Sequence, residues 1–369
     1  MKTFTGVFLW EKNMKQKIIK SLLLICFCCP VSANEFLGLP DLPVPADNPQ
    51  TQAKIELGRL LFNDARLSGD GTISCASCHQ PEKAFTDGLP VAEGINGQKG
   101  TRNAPTVVNS VFYQTFFLDG RAASLEEQAL GPFLNPIEHG LKDKKNLAEI
   151  VKQDKKYLEK FAEVFGISKD QITAEHIAKA IASFERTVIN GNSLFDQYFY
   201  GRKREVLSES AARGSRIFRR KGNCSNCHEM NWKNAFFSDN NFYNIGVGSK
   251  KLNPILDDFL RKIRSGVDPE KVNLTAQQRS ELGRFNVTKI IADIGKFKTP
   301  SLRNVALTGP YMHDGSIASL EEVIDYYDKG GDDNQFKDSA IFPLKLTDQE
   351  KKDLLAFLRS LTSSSYLKK

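Results

Sequence analysis

The chain of 369 residues has few of the features that set a protein apart from an ordinary globular one. It has no low-complexity bias, and its longest apolar run, near residues 18–29, is shorter than the ~20 residues of a membrane-spanning helix. The net charge of +7 falls to +3 without residues 1–33, which hold five lysines and one glutamate. A nucleic-acid partner is therefore not expected, and we interpret the basic run 202–204 as a solvated loop.

The first residues do not read as part of a folded domain. From Met14 the sequence MKQKIIKSLLLICFCCPVSANE has a basic start, a short apolar run and a small-residue exit. This pattern predicts a signal peptide over residues 1–33, cleaved after Ala33, with Met14 as an alternative start. We therefore expect a soluble exported protein located in the periplasm.

Cysteine is scarce, and its placement indicates the chemistry. Three of the seven cysteines lie in the predicted signal peptide, and the other four form CASCH (75–79) and CSNCH (224–228). Cys-x-x-Cys-His is the attachment pattern of c-type haem. Each pair of thiols, Cys75 with Cys78 and Cys224 with Cys227, can form thioethers to one porphyrin. The following histidine, His79 or His228, can then bind the iron.

The spacing of the cysteines also allows two other interpretations. A zinc site could use four thiolates at this spacing, and an exported protein could use Cys-x-x-Cys pairs as redox disulfides. Both alternatives leave unexplained why a histidine follows each pair directly. Two covalently bound c-type haems account for all six residues.

Other sequence patterns also occur twice. DGRAASLEE (119–127) and DGSIASLEE (314–322) agree at seven of nine positions. Gly-x-x-x-Phe precedes each haem motif, in GRLLF (58–62) and GSRIF (214–218). Each copy thus reads as a helix, a haem-binding turn, a loop and a second helix, which begins at a Ser-x-x-Glu capping box.

The repeat predicts a mainly α protein with two cytochrome c-like helical haem domains in tandem, related by internal duplication. We place the N-terminal domain at residues 34–202 and the C-terminal domain at 203–369, whose last helix near 347–361 closes the fold. The second copy is longer because of a polar and charged segment near 245–295, which we expect on the surface.

The two copies differ at one informative position. Adding 195 to a residue number in the first repeat gives its equivalent in the second, so Pro132 corresponds to Tyr327. Proline cannot bind iron, whereas a phenol can. The sequence therefore predicts an open iron in the first domain and an iron with two protein ligands in the second.

Over essentially its whole length after the predicted signal peptide, the chain resembles the bacterial dihaem cytochrome c peroxidases and their MauG-type relatives. The matching stretches are GRLLF (58–62), CASCH (75–79), GTRNAPT (100–106), DGR (119–121), EEQALGPFLNPIE (126–138), CSNCH (224–228) and FKTPSLRNVALTGPYMHDG (297–315).

The resemblance implies a dihaem oxidoreductase that reduces hydrogen peroxide at the N-terminal haem. Glu138 and Gln128 match the family's catalytic residues above that iron, where a carboxylate can take a proton from peroxide and return it to the departing oxygen. Many relatives block this iron with a histidine from the loop after the first motif. Here that loop, residues 88–100, has no histidine, so the iron is expected to be open.

The resemblance also assigns residues around the second haem. Tyr327 matches the far ligand of the MauG-type group, where ordinary peroxidases have methionine. Tyrosinate favours oxidised iron and lowers its potential. Met312 and Met230 are the alternative ligands. His313 is given an orienting role near the haem or the domain contact.

The resemblance further implies a calcium ion between the domains. Asn103, Thr308 and the carbonyl of Pro310 match its ligands, and hard oxygen donors suit that ion. The implied electron donor is a small cytochrome c or a cupredoxin, and a homodimer is one candidate assembly.

Two departures leave the function open. The family's tryptophan between the haems is Leu118 here, so electrons must take another path, for which Tyr113 is a candidate. The surface tryptophan ahead of the second motif is Gly222, with Trp232 after the motif. We therefore expect a peroxidase, with a MauG-type oxidase of a partner protein's side chains and a non-enzymatic electron carrier as the alternatives.

Overall fold

The computed structural model describes residues 36–367, so the predicted signal peptide lies outside the described residues. The prediction of a mainly α fold with two tandem domains is confirmed. The helices are α1 (Gln52–Phe62), α2 (Cys75–Cys78), α3 (Leu125–Leu134), α4 (Lys144–Lys152), α5 (Lys155–Phe165), α6 (Ala174–Glu185), α7 (Leu194–Phe199), α8 (Glu209–Arg219), α9 (Ser249–Arg264), α10 (Ala276–Glu281), α11 (Phe285–Thr288), α12 (Leu320–Asp328), α13 (Asp348–Arg359) and α14 (Ser364–Leu367). Strands β1 (Phe242–Tyr243) and β2 (Phe297–Lys298) pair antiparallel.

No helix within residues 36–367 combines the length and the apolar composition needed to cross a bilayer.

Each domain is built on one close helix crossing, and the repeated glycine explains why. Helix α1 packs on α6 in the first domain, and α8 packs on α13 in the second. A Cβ atom at Gly58 would lie 1.9 Å from the carbonyl oxygen of Ala180, and one at Gly214 would lie 1.9 Å from that of Asp353. Only glycine permits either approach, because any side chain would meet backbone. The Gly-x-x-x-Phe repeat therefore marks the same packing contact twice.

The phenylalanine of each repeat fills the core beside its crossing. Phe62 is buried against Phe184 of α6 with ring centres 5.1 Å apart. Phe218 is buried against Phe357 of α13 at 5.0 Å. Aromatic pairs at this separation add to the free energy gained by burying apolar area. The two cores are thus built on equivalent pairs.

The second helix of each repeat begins where the capping pattern predicts. Ser124 accepts a hydrogen bond from the Glu127 amide, and Ser319 accepts one from the Glu322 amide. The Glu322 carboxylate closes a full capping box, whereas that of Glu127 bonds the Ala123 amide instead. The helix starts are therefore fixed locally.

The long segment of the second domain does more than cover the surface. Residues 249–294 form α9, α10 and α11 around a small core of their own, which includes Leu252, Phe259 and Phe285. The segment also contacts the first domain, since Arg102 donates to Ser280 at 3.0 Å and Arg284 donates to the Asp119 carbonyl at 2.9 Å. The expectation of a purely surface segment was incomplete.

A buried ion pair links the segments near the domain boundary. Arg303 donates to Asp196 at 2.7 and 3.0 Å, and both side chains are at most 1% exposed. Asp196 lies on α7, whose Phe195 packs in the second core although it precedes residue 203. Helix α7 therefore belongs structurally to the second domain.

Candidate haem sites

The first haem motif forms a short helix that presents its histidine inward. Helix α2 begins after Ser74, whose amide donates to Ser77, and His79 follows its last residue. Nδ1 of His79 lies 3.1 Å from the carbonyl oxygen of Phe85, which leaves Nε2 for a metal. Burial lowers the pKa of His79, so the ring is held neutral, as iron ligation requires.

The second motif has the same design on a 3₁₀ turn, Cys224–Asn226. Nδ1 of His228 lies 3.1 Å from the carbonyl oxygens of both Phe237 and Pro300. Burial also lowers the pKa of this ring. Carbonyl bonds to one ring nitrogen orient the other toward a metal. The donor sets of both motifs therefore fit haem iron.

A large cavity adjoins the second motif. Its volume is about 280 Å³, against ~30 Å³ for a water molecule in the liquid, so it suits a cofactor better than solvent. Cys224, Cys227 and His228 line it together with Tyr327 and Met312. Met230 instead packs against the second core.

Tyr327 is half-buried beside the thiols of the second motif. Burial, together with the charges of Cys224 and Cys227, holds the pKa of the phenol well above its usual range. A buried phenol of this kind stays protonated until a cation replaces its proton. The register of the internal repeat had placed Tyr327 at this site, and the structure brings it to the same cavity as His228.

Gln128 and Glu138, the amide and the acid predicted to act at the first haem, lie on helix α3 and just after its end. Gln128 is half-buried on α3, and Pro132 lies one turn further along the same helix. Glu138 follows α3, and its Oε1 accepts a hydrogen bond from Asn135 at 2.6 Å. Burial raises the pKa of Glu138, and the charge of Arg121 partly opposes that shift.

In addition to burial, the charge of Glu138 raises the pKa values of the cysteine thiols in the first motif. Burial and the charges of Asp87 and Glu138 raise the pKa of Cys78 to about 12. Glu138 also contributes to the raised pKa of Cys75. The carboxylate therefore lies in the neighbourhood of these thiols.

Glu185 is a second buried acid near the first motif, and sequence reasoning missed it. Burial raises its pKa to about 8, and its Oε2 has no hydrogen-bond partner in the part of the chain described. Its charge also raises the pKa of Cys75. The only sequence signal was a glutamate at the C-terminal end of the apolar helix α6.

The calcium candidates lie around the same cavity as the second motif. Asn103 reaches it from the first domain, and Thr308 and Pro310 reach it from the second. The side-chain nitrogen Nδ2 of Asn103 donates to the carbonyl of Leu89 at 2.7 Å. The side-chain oxygen Oδ1 of Asn103 is therefore the atom that a cation could use.

His313 lies where the domains meet. Its carbonyl accepts a hydrogen bond from the Asn103 amide at 2.9 Å, and its ring stacks on Phe297 with centres 3.7 Å apart. Nε2 lies 2.6 Å from Glu281 of the long segment. Sequence reasoning missed Glu281, because nothing in its local pattern indicates a partner 32 residues away.

Glu281, His313 and Asp314 form the one group of three possible metal ligands found within residues 36–367. The Lys251 ammonium lies 3.1 Å from Glu281 and 3.0 Å from Asp314. The lysine thus already offsets part of the negative charge of the two carboxylates. This cluster is an ion-pair network that joins the long segment to the cavity wall.

Tyr113 and Lys298 line the cavity of the second motif, on the wall that also contains Leu118. The Tyr113 hydroxyl accepts a hydrogen bond from the Ser301 amide at 2.7 Å, and Nζ of Lys298 lies 3.9 Å from the ring centre. Burial lowers the pKa of Lys298 to about 7, against the attraction of Asp119. Sequence reasoning had named Tyr113 and missed Lys298.

The chain has two cytochrome c-like domains, and each contains a Cys-x-x-Cys-His motif whose histidine has Nε2 available for iron. These features define a protein with two c-type haems. A model of the di-haem cytochrome c peroxidases matches residues 52–204, and a cytochrome c model matches residues 211–362.

Several named relatives align with most of this chain. Cytochrome-c peroxidase IdrP1 of Pseudomonas sp. is 38% identical over 338 residues, covering 89% of this chain and 86% of that protein. Methylamine utilization protein MauG of Methylorubrum extorquens is 35% identical over 320 residues, covering 87% and 81%. The crystal structure of a MauG-like protein associated with microbial copper homeostasis has a TM-score of 0.74 at 36% identity, covering 89% and 95%.

The chain belongs to the family of di-haem cytochrome c peroxidases and MauG proteins. It is accordingly an oxidoreductase of the dihaem cytochrome-c peroxidase type. The alternative of a non-enzymatic electron carrier loses its support.

Proposed function

We propose that this protein is an exported, periplasmic peroxidase that reduces hydrogen peroxide at an open first haem. Electrons reach that site through a second haem ligated by His228 and Tyr327, from a small cytochrome c or a cupredoxin. The observation that carries the proposal is the contrast between the two sites. The half-buried acid Glu138 lies near the thiols of the first motif, and the half-buried phenol Tyr327 lies beside those of the second. In the sequence repeat, Pro132 takes the position that corresponds to Tyr327.

The bound haem of the first site supplies the iron and the electrons for breaking the O–O bond of peroxide. Glu138 takes the proton from the bound peroxide oxygen and delivers it to the oxygen that leaves as water. The raised pKa of Glu138 suits both halves of this transfer, because the acid gives up its proton less readily than an exposed glutamate and regains it more readily. Gln128 orients the peroxide by hydrogen bonding.

Pro132 keeps the distal side of the first site free of a protein ligand. It stands where Tyr327 stands in the second repeat, and its ring nitrogen has no proton to lose and no free electron pair for a metal. The loop over residues 88–100 contains no histidine that could take its place.

Tyr327 sets the character of the second site. A phenolate oxygen is a hard anionic donor, so it stabilises oxidised iron and lowers its potential. His313 orients the groups where the domains meet, because Glu281 and Phe297 fix its ring. Calcium, held by Asn103, Thr308 and Pro310, joins the two domains at this cavity.

Tyr113 carries electrons between the two sites in place of the family's tryptophan. Its ring lies in the cavity wall that both domains share, 3.9 Å from Nζ of Lys298. The lowered pKa of Lys298 reduces the positive charge over the ring near neutral pH, which makes the ring easier to oxidise.

A second candidate function is the oxidation of side chains on a partner protein, as in MauG-type enzymes. Tyr327 favours it, because a low-potential second haem stores oxidising equivalents better than it accepts electrons. Gly222, in place of a surface tryptophan ahead of the second motif, disfavours the same protein substrate.

One experiment distinguishes the two functions. Stoichiometric peroxide is mixed with the ferric holoprotein, the optical spectrum is followed, and turnover with a reduced small cytochrome c is then measured. Rapid cytochrome oxidation supports the peroxidase. A long-lived oxidised product with slow cytochrome oxidation supports the oxidase. No spectral change on addition of peroxide would contradict both.

A further inference from the structure

Positive charge is concentrated around the second haem motif. Residues 202–233 hold nine lysines and arginines against three glutamates, a surplus of six. The whole chain after residue 33 carries a net charge of only +3, so the remainder of that chain is negative overall. The sequence interpretation of 202–204 as an ordinary solvated loop did not take this asymmetry into account.

The fold keeps much of this charge close to the haem-binding cysteines. Helix α8 ends at Arg219, and Arg220 and Lys221 follow, all three exposed. The Asn223 amide donates to the Arg220 carbonyl, and Gly222 donates to Ile217, so a tight turn joins these residues to Cys224. Arg219 and Arg220 are therefore held a few residues from the second motif, whereas the Lys221 ammonium is paired with the Glu350 carboxylate.

Trp232 lies on the other side of the same motif and points into solvent. Its side chain is 77% exposed, more than any other large apolar side chain within residues 36–367. The turn that carries it is ordered, since the Asn231 amide donates to the Asn234 carbonyl at 3.0 Å. The Asn231 side chain accepts from the amides of Lys233 and Asn234. A rigid turn thus exposes a tryptophan four residues after His228.

A hydrogen bond brings the basic run beside this turn. The Tyr200 hydroxyl donates to the Asn231 carbonyl at 2.7 Å, and only Gly201 separates Tyr200 from residues 202–204. Arg204 lies over the Tyr198 ring at 4.7 Å. Glu205, Glu209 and Glu229 are the acidic side chains of residues 202–233, and all three are exposed.

We propose that Arg202–Arg204, Arg219, Arg220, Trp232 and Lys233 form a basic port that binds a small acidic redox protein, the electron donor of the second haem. The proposal rests on the proposed function, because it identifies the donor by its charge. Positive charge around the haem edge steers an acidic partner and raises its association rate. Trp232 supplies the apolar contact, since exposed tryptophans commonly dominate the binding energy of such interfaces.

The test measures binding directly, with an acidic c-type cytochrome and a basic one as probes. Their dissociation constants with the holoprotein are determined by calorimetry at low and at physiological ionic strength. The acidic cytochrome is expected to bind more tightly, and its affinity should fall with salt, because surface charges are screened beyond ~8 Å at 0.15 M. Tighter binding of the basic cytochrome, or affinity independent of salt, would overturn the proposal.

Two variants locate the port. The double reversal Arg219→Glu/Arg220→Glu should weaken binding of the acidic cytochrome by on the order of 10–100-fold at low salt, mainly through the association rate. Trp232→Ala should weaken it at all salt concentrations, mainly through the dissociation rate. The matched control is Lys155→Glu/Lys156→Glu on α5, which makes the same charge change in the first domain. Equal effects of the two double reversals would contradict a local port.

The failure of the port and the failure of the proposed function give different results. Peroxide turnover by the unmodified holoprotein with a small uncharged donor tests the function alone. Turnover without selective binding of the acidic cytochrome removes the port and leaves the peroxidase. Selective binding without any peroxide turnover supports the port and removes the peroxidase.

Discussion

Replacing Glu138 with glutamine tests the proton-transfer step of the proposed reaction. The change keeps the size of the side chain and its contact with Asn135, which lies 2.6 Å from Oε1, but removes the group that accepts the proton. General acid–base groups contribute roughly 10²–10⁴-fold in rate. We expect the bimolecular rate of the peroxide reaction to fall about 10³-fold, which corresponds to about 4 kcal/mol in the barrier.

Stopped-flow mixing of the ferric holoprotein with peroxide provides the rate. Glu127→Gln is the matched control, because Glu127 lies in the same segment but bonds the Ala123 amide at the exposed start of α3. The control should react as fast as the unmodified protein. An unchanged rate in the Glu138→Gln variant would refute the assignment of Glu138 as the proton acceptor.

The same reaction should depend on pH in a direction that burial of Glu138 sets. Burial raises the pKa of this acid above its usual value, so its base form is lost at a higher pH than for an exposed glutamate. The peroxide rate should be constant well above the raised pKa and should fall as the pH decreases through it. The step should disappear in Glu138→Gln, and a profile that is identical in both proteins would contradict the role.

Further predictions concern the second site, the path between the sites and the domain boundary. Tyr327→Met should raise the reduction potential of the second haem in a spectroelectrochemical titration, because a thioether replaces an anionic oxygen; an unchanged potential would exclude ligation by Tyr327. Tyr113→Phe should slow electron transfer from the second haem to the first after flash reduction, whereas Tyr243→Phe in the same cavity should not; equal rates in all three proteins would exclude Tyr113 as the carrier. Asp196→Asn leaves the buried Arg303 charge without its partner and should lower the free energy of unfolding by about 3–5 kcal/mol in chemical denaturation; a loss below about 1 kcal/mol would show that the pair contributes little.

The local parts of the molecule were predictable from the sequence. The haem motifs and the helix starts at Ser124 and Ser319 each depend on a few neighbouring residues. Gly58 and Gly214 were visible as a repeat, but the helix crossings that require them depend on the distant Ala180 and Asp353. The internal repeat also indicated the contrast between Pro132 and Tyr327, because two copies of one unit provide their own alignment.

The parts that depend on distant contacts were not predictable. The segment near 245–295 was expected on the surface because it is polar and charged, and only the mutual packing of its helices reveals a core. Glu281 and Lys298 acquire their environments from residues far away in sequence. The basic port likewise becomes visible only when Tyr200 is seen to bond Asn231.

The inequality of the two irons is tested most directly by electron paramagnetic resonance of the ferric holoprotein during a cyanide titration. The account predicts one high-spin and one low-spin signal, and cyanide binding at the high-spin centre alone with one equivalent per chain. Two low-spin signals that do not respond to cyanide would show that protein side chains cap both irons, and binding of two equivalents would show that Tyr327 caps neither.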